Sequence, residues 1–465
     1  MSPTAPRSRG KKLAVLCTVG LTPKLLEHMP RLRAIGEDGF AAPLDTVFPA
    51  VTSTVQATFT TGLLPRDHGA VANGWYWRDH GEVHFWRQHN KLVHGEKVWH
   101  AARERSPGLT SAYLCWWWAM GAEVDTVLTP RPVYRYDGRK QPDCYTAPAE
   151  LRHTLTDELG AFPLFNYWGP TASIRSTRWV ADATRVVIDR RDPDLTLVYV
   201  PHLDYDLQRF GPDGPEAIRA AKEADAALGP LLEELRSRGH TVLALSEYGI
   251  TSVRRPVDIN RVLRREKLLS VYDQRGMEYL DPYVSRAFAV ADHQVAHVYV
   301  ADPGDIERVR SVLRALPGVD EVWDRDQQRA AGVDHERSGE LVVVAEPDAW
   351  FTYYYWLDDD RAPDFARGVE IHRKPGYDPA ELFFDPARPA VKARAALSVA
   401  GKKAGFRAPL TVIPLDPSCV RGSHGRLPES DADGPMLLCS DPSQVRDRYR
   451  ATEVKELMLR LLGLG

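Results

Sequence analysis

Four short strings in this 465-residue chain carry side chains that could handle a phosphate ester or a metal ion. The first is FPAVTSTVQATFTTGLLPRDHGAVAN, where a strand ends near Pro49 and a helix begins at Thr52. A hydroxyl at a helix start is an ordinary N-cap, because its oxygen satisfies an orphan backbone N–H. The same position suits a nucleophile, since the amides and dipole of a helix N-terminus favour a bound phosphate. The second string, YVPHLDYDLQRFGP, follows the apolar run 195–200. It therefore stands at the carboxyl end of a strand, where open α/β proteins place their sites. The third is Ser246-Glu247-Tyr248-Gly249, after the apolar run 241–245, and the fourth is Gly422-Ser423-His424-Gly425.

The elements that must position these strings read as strand, turn and helix in alternation. Residues 13–20 form an apolar run ending in Gly, 52–61 has helical length and ends at Gly62, and 214–236 is a long amphipathic helix. This alternation predicts an α/β fold, a mostly parallel central sheet sandwiched by helices. Strands at 296–300, 319–323 and 341–345 alternate with a helix at 306–316, so 295–347 reads as an inserted or appended α+β subdomain. No repeat or long low-complexity linker divides the rest, which is expected to be one domain over 1–465.

Composition narrows the class. The chain is 43% apolar and 26% charged, enough for a large buried core and too apolar for disorder. Sixty Lys and Arg against 63 Asp and Glu leave a net charge of -3, without the basic excess a nucleic-acid binder needs. Five widely spaced cysteines, no CxxC, no N-x-S/T sequon and no secretory leader point to a cytoplasmic protein. No stretch approaches the roughly 20 apolar residues of a membrane span. A P-loop, a G-x-G-x-x-G after a strand, HExxH and G-x-S-x-G are all missing, which removes the common NTPase, dinucleotide, zincin and α/β-hydrolase readings.

Together the four strings resemble the nucleotide pyrophosphatase/phosphodiesterase branch of the alkaline phosphatase superfamily, in family order and over nearly the whole chain. There a nucleophilic Thr precedes the Thr of a T-G dipeptide by nine residues and P-x-x-H-G follows. Here Thr61-Gly62 and Pro65–Gly69 match, and counting back nine gives Thr52. The resemblance implies an alkaline-phosphatase-like fold, a phosphoryl oxygen held by Asn73, and a structural role for His68. Aligning Gly211-Pro212 on the family's P-D-x-x-G-H-x-x-G-P puts Asp204 and Gln208 on two ligands of one metal, which His424 completes. Glu247 and Tyr248 fall on the Asp and His of S-D-H-G, ligands of the second metal.

The departures matter as much. The family's Asp after the first strand is Val19, the Asp of S-D-H-G is Glu247, its His is Tyr248, and a ligand His is Gln208. Zinc wants three or four N, S or O ligands. The expectation is thus one divalent ion, zinc or similar, drawn from Asp204, Gln208, Glu247 and His424. His202 and Asp206 share a face with Asp204 if the strand continues, and His293 and His297 are further candidates to rebuild the site.

A lost cation must be balanced, because phosphoryl transfer depends on stabilising charge on the equatorial oxygens. Residues 74–99 follow Asn73 and are dense in aromatics and hydrogen-bonding groups. Trp75, Trp77, Phe85 and Trp86 are expected to wall a pocket rather than stand exposed. Trp116, Trp117 and Trp118 read mainly as core, with the C-terminal end of the run able to line the same cleft. Lys91 or Arg87 is expected to point into the cleft beside Val19 and Glu247, lowering the pKa of the Thr52 hydroxyl and neutralising the oxyanion. The expected function is hydrolysis of a phosphodiester or phosphate ester on a small phosphorylated substrate through Thr52. The alternative is a pseudo-enzyme, or a member with altered chemistry, that binds a phosphorylated or aromatic metabolite in a biosynthetic pathway.

Overall fold

The computed structural model describes residues 11–136, 139–403 and 411–465. Its centre is a nine-stranded sheet in the order Tyr449–Arg450, Phe40–Asp45, Met436–Cys439, Thr241–Leu245, Leu13–Thr18, Leu195–Val200, Ser111–Leu114, Thr126–Pro130, Cys144–Ala147. The five strands from Thr241–Leu245 to Thr126–Pro130 run parallel. Met436–Cys439 and Cys144–Ala147 enter antiparallel, so the sheet is mixed. Leu13–Thr18 and Leu195–Val200 are buried at every residue, the pattern of strands covered on both faces.

Helices supply that cover. Ile174–Arg191 and Pro215–Ser237 each turn an apolar stripe inward, with Val180, Val187, Leu228 and Leu231 buried. The expected helix at 214–236 matches Pro215–Ser237 to within one residue at each end. Its Pro215 sits in the first turn, where a missing N–H is harmless. The chain after Thr22 forms two short helices, Pro23–Leu26 and Pro30–Asp38, because Pro30 starts a second helix instead of continuing the first.

A second sheet has four antiparallel strands in the order Ala287–Asp292, Val295–Val300, Leu341–Ala345, Val319–Trp323. The sequence reading began this unit at residue 295, but its edge strand Ala287–Asp292 lies upstream. Among the described residues no helix is long and apolar enough to cross a membrane.

The topology fixes where a site can form. Thr241–Leu245, Leu13–Thr18 and Leu195–Val200 are adjacent and in register, with Cys17 opposite both Leu245 and Tyr199. Their carboxyl ends therefore deliver Glu247 and Tyr248, Val19, and the helix bearing Asp204 to one edge of the sheet.

Candidate active site

Thr52 is the first residue of the helix Thr52–Thr61, behind Val51 as N-cap, and all ten helix residues are buried. Its hydroxyl does not cap the helix. Instead Oγ1 lies 2.9 Å from the hydroxyl of Tyr248. The first amides of a helix have no intrahelical acceptor; that of Ser53 donates to Asn73 Oδ1 at 3.0 Å.

Asn73 is held from both sides. Its Nδ2 donates to Asp292 Oδ1 at 3.0 Å and its backbone N–H to Asp292 Oδ2 at 2.7 Å. The side chain expected to hold a phosphoryl oxygen thus braces the helix start against the second sheet, and it is not among the cavity-lining residues.

Asp204 and Gln208 lie one turn apart on the helix His202–Phe210, so they share a face. Burial pushes the Asp204 carboxyl up to about 7, against the opposing pull of the Gln208 amide and the Tyr248 hydroxyl beside it. Asp204 Oδ1 has no hydrogen-bond partner among the described residues. Tyr377 donates from its hydroxyl to Gln208 Oε1 at 3.2 Å. The same helix corrects the idea that His202 and Asp206 flank Asp204. A helix sends residues two apart to different faces, whereas a continued strand would have aligned them. His202 instead meets Glu223 at 3.1 Å, and Asp206 pairs with Arg209 and Arg219.

Glu247 is fully buried. Its Oε1 accepts from Gln56 Nε2 at 2.7 Å, and the Cys17 thiol stands beside it. Burial raises its pKa to about 8, which favours the neutral carboxyl. This settles the charge deficit differently from expectation. Lys91 and Arg87 are both exposed, neither lines the cavity, and Arg87 reaches His84 at 2.8 Å. A carboxyl kept neutral by burial and bonded to an amide needs no cation. Val19 sits in the apolar core.

His424 is delivered by close backbone packing. Gly422 runs under the helix His202–Phe210, where a Cβ would lie 2.1 Å from the Leu207 carbonyl oxygen, so no larger residue fits. His424 Nδ1 donates to Ala50 O at 2.8 Å, which leaves the lone pair on Nε2. Burial holds the ring neutral, with a pKa of about 3. Tyr248, His424, His293 and Tyr377 form a column of rings with centroid separations of 3.6, 3.6 and 3.8 Å. His293 thus joins the site, while His297 is structural, occupied by Val71 O and the Gly339 amide.

Thr52, Asp204, Tyr248, His293, Tyr377 and His424 close the inner end of a cavity of about 770 Å3. Of the expected aromatic wall only Trp86 lines it, edge-on to Trp117 at 5.2 Å. Trp75 and Phe85 are buried in cores, and Trp77 stacks on Trp75. Trp117, in the run whose C-terminal end was expected to be able to line the cleft, does line the cavity, whereas Gln56 and Tyr377 escaped the sequence reading; only Gln56, one turn after Thr52, left a usable signal.

The sequence over residues 13–378 matches the type I phosphodiesterase / nucleotide pyrophosphatase family. The chain belongs to that family. A curated relative is an uncharacterised pyrophosphatase/phosphodiesterase of Schizosaccharomyces pombe, 26% identical over 253 residues, covering 52% of this chain and 44% of the relative. The chain thus spans less than half the length of that relative. Two solved structures share the fold over 98% of this chain and 96% of their own, each at 16% identity. They are murine ectonucleotide pyrophosphatase/phosphodiesterase 5, as an inactive threonine-to-alanine variant with AMP (TM-score 0.58), and Sinorhizobium meliloti phosphonoacetate hydrolase with phosphonoformate (TM-score 0.60).

Homologues in this phosphodiesterase family are typically dependent on divalent metals, and the donor set here does not fit one. Among the described residues no three His, Cys, Asp or Glu side chains gather at metal-binding separation. Asp204 Oδ1, orphaned like Glu247 Oε2, would welcome a cation. Its neighbours are a neutral amide and the Tyr248 hydroxyl, and that hydroxyl also contacts Thr52. The Tyr248 ring lies flat on His424, and Glu247 is committed to Gln56. The four expected ligands therefore do not form one ligand set.

Proposed function

We propose that this member of the phosphodiesterase family hydrolyses a phosphodiester, with Thr52 as nucleophile and the Tyr248 hydroxyl as the group touching the attacking oxygen. The observation that carries the reading is the 2.9 Å contact between Thr52 Oγ1 and Tyr248 at the inner end of the cavity. Thr52 Oγ attacks phosphorus, one P–O ester bond breaks, and the leaving alkoxide departs as the alcohol after taking a proton from water. The Thr52 proton passes to the Tyr248 oxygen while the Tyr248 proton passes to Asp204. Water then hydrolyses the phosphothreonine and regenerates the threonine. The helix N-terminus at Thr52 favours an anion, with the Ser53 amide taken by Asn73 Oδ1. A diester fits better than a monoester, because it brings a single negative charge to a site where Asp204 stands as the carboxylate that accepts the Tyr248 proton. The murine relative, inactive as a threonine-to-alanine variant, supports the threonine's role.

A cytoplasmic setting is part of this reading, supported by five cysteines that form no disulfide. A second reading, a binding protein without turnover, is favoured by one observation. The lining cations Arg139, Lys140, Arg373 and Lys392 all lie outside the inner end. The test is hydrolysis of bis(p-nitrophenyl) phosphate by the wild type and by Thr52→Ala. Turnover in the first and none in the second supports the hydrolase. A folded wild type without turnover supports the binding protein.

A further inference from the structure

The inner end of the cavity is described above; its walls and mouth have a chemistry of their own. Many polar atoms of the wall are turned into the protein, the exceptions being the hydroxyls of Tyr134, Tyr167, Tyr199 and Tyr205, which make no such bond among the described residues. Gln88 Nε2 donates to Thr129 Oγ1 and to Pro130 O, and Gln88 Oε1 accepts from Arg131. Trp117 Nε1 donates to Arg87 O and Trp168 Nε1 to Glu381 Oε2. Thr171 Oγ1 donates to Phe165 O, and His372 Nδ1 meets Phe85 O. What these residues present to the cavity is ring and methyl surface, continued by Leu164, Val369, Ile371 and Ala395. A polar base or sugar entering here would leave its water for few partners beyond tyrosine hydroxyls, an unfavourable exchange.

The mouth is different. Arg139, Lys140, Arg373 and Lys392 stand there against the carboxylates Asp364 and Glu370. Arg373 and Lys392 are exposed, whereas Thr52, Tyr248 and His424 are buried. Among the described residues Lys140, Arg373 and Lys392 form no ion pair with a carboxylate. Lys392 lies over the Phe384 ring at 5.9 Å, at the border of apolar wall and solvent. Polarity thus changes along the cavity from a hydroxyl-lined floor, through an apolar barrel, to a cationic rim.

We propose that the substrate is an amphiphile with anionic groups at both ends. Its phosphodiester reaches Thr52, an apolar or aryl body fills the barrel, and a terminal carboxylate or phosphate is held at the rim by Lys140, Arg373 and Lys392. The proposal rests on the phosphodiesterase reading for the identity of the inner group. The barrel, mostly ring and methyl surface, favours an apolar body over a nucleoside, and the rim discriminates between chains with and without a terminal anion.

The test is calorimetric binding of three non-turned-over probes to wild-type protein at moderate salt: AMP, dodecylphosphonic acid and 12-phosphonododecanoic acid. The expected order is 12-phosphonododecanoic acid tighter than dodecylphosphonic acid, and both at least about tenfold tighter than AMP, tenfold being about 1.4 kcal/mol. Arg373→Ala and Lys392→Ala, both at exposed positions, should weaken the two-headed probe severalfold and leave dodecylphosphonic acid within twofold. Phe165→Ala should weaken both alkyl probes alike. AMP binding as tightly as the alkyl probes, or rim variants that weaken both alkyl probes equally, would overturn the proposal. Turnover of bis(p-nitrophenyl) phosphate is the separate readout. Its absence alongside the expected binding order sinks the hydrolase reading and leaves the amphiphile site standing.

Discussion

The phenol ring of Tyr248 lies on the imidazole of His424 with centroids 3.6 Å apart and planes within 8° of parallel. Two positions that the family assigns to different metals are thereby in direct contact. The stack fixes the Tyr248 hydroxyl where it meets Thr52 at 2.9 Å. A tyrosine at this position fills space and supplies a proton-carrying hydroxyl, which a metal ligand in the same place would not.

Tyr248→Phe keeps the stack and removes only the hydroxyl. Turnover of bis(p-nitrophenyl) phosphate should fall by about 10²–10⁴-fold, the usual contribution of a positioned proton-transfer group. The melting temperature should barely move. Full activity in this variant would show that Thr52 loses its proton by another route.

Prolonged dialysis against EDTA should leave both turnover and melting temperature unchanged, because the donors for a zinc site are not assembled. The complementary variant combines Val19→Asp, Gln208→His, Glu247→Asp and Tyr248→His. It rebuilds the three or four N and O ligands that zinc requires. Elemental analysis of this variant should find bound zinc where the wild type has none in stoichiometric amount. Wild-type activity abolished by EDTA and restored by zinc would contradict the fit argument.

His68 predicts a pH effect on stability remote from the catalytic groups. It is buried, accepts from the Ala70 amide at Nδ1 and donates from Nε2 to Thr58 Oγ1. Burial lowers its pKa to about 3 from an ordinary 6.5. The unfolded chain therefore binds a proton between these values that the folded chain refuses. Stability from this group is present above about pH 6.5 and lost as pH falls towards 3, by up to about 1.4 kcal/mol per pH unit. His68→Leu lowers stability at neutral pH but should flatten this slope in urea titrations at pH 4, 5 and 6. An unchanged slope would remove His68 from the account.

Lys374 is buried between two acids, 2.7 Å from Asp378 and 2.8 Å from Glu381. Glu381 also accepts from the Glu370 amide and from Trp168 Nε1, so the cluster anchors two cavity-lining residues. Lys374→Met leaves two buried carboxyls without their cation, a change that typically destabilises by about 3–5 kcal/mol. Thermal melting should show the loss, and affinity for dodecylphosphonic acid should weaken as Trp168 loosens. A melting temperature equal to wild type would mean that the two acids share a proton without help from Lys374.

Most of the architecture was legible because it is written in short-range signals. The buried runs 195–200 and 241–245 became strands with those bounds, and the helix from Thr52 ends at Gly62 in the left-handed conformation at φ 73°. The four motif strings likewise named the segments that meet at the cleft, three of them following a strand of the central sheet.

Side-chain partnership was not legible, because it depends on which distant segments are pressed together. The sequence by itself determined that Thr52 starts a helix, that Asp204 and Tyr248 follow strands, and that Val19 cannot bind a cation. Only the tertiary structure decided that Asn73 braces Ser53 against Asp292, that Gln56 answers Glu247, and that Lys91 faces solvent. The physical reason is burial. Desolvation holds Glu247 neutral and His424 uncharged, and the degree of desolvation is a property of the packed molecule, with no trace in the spacing of residues along the chain.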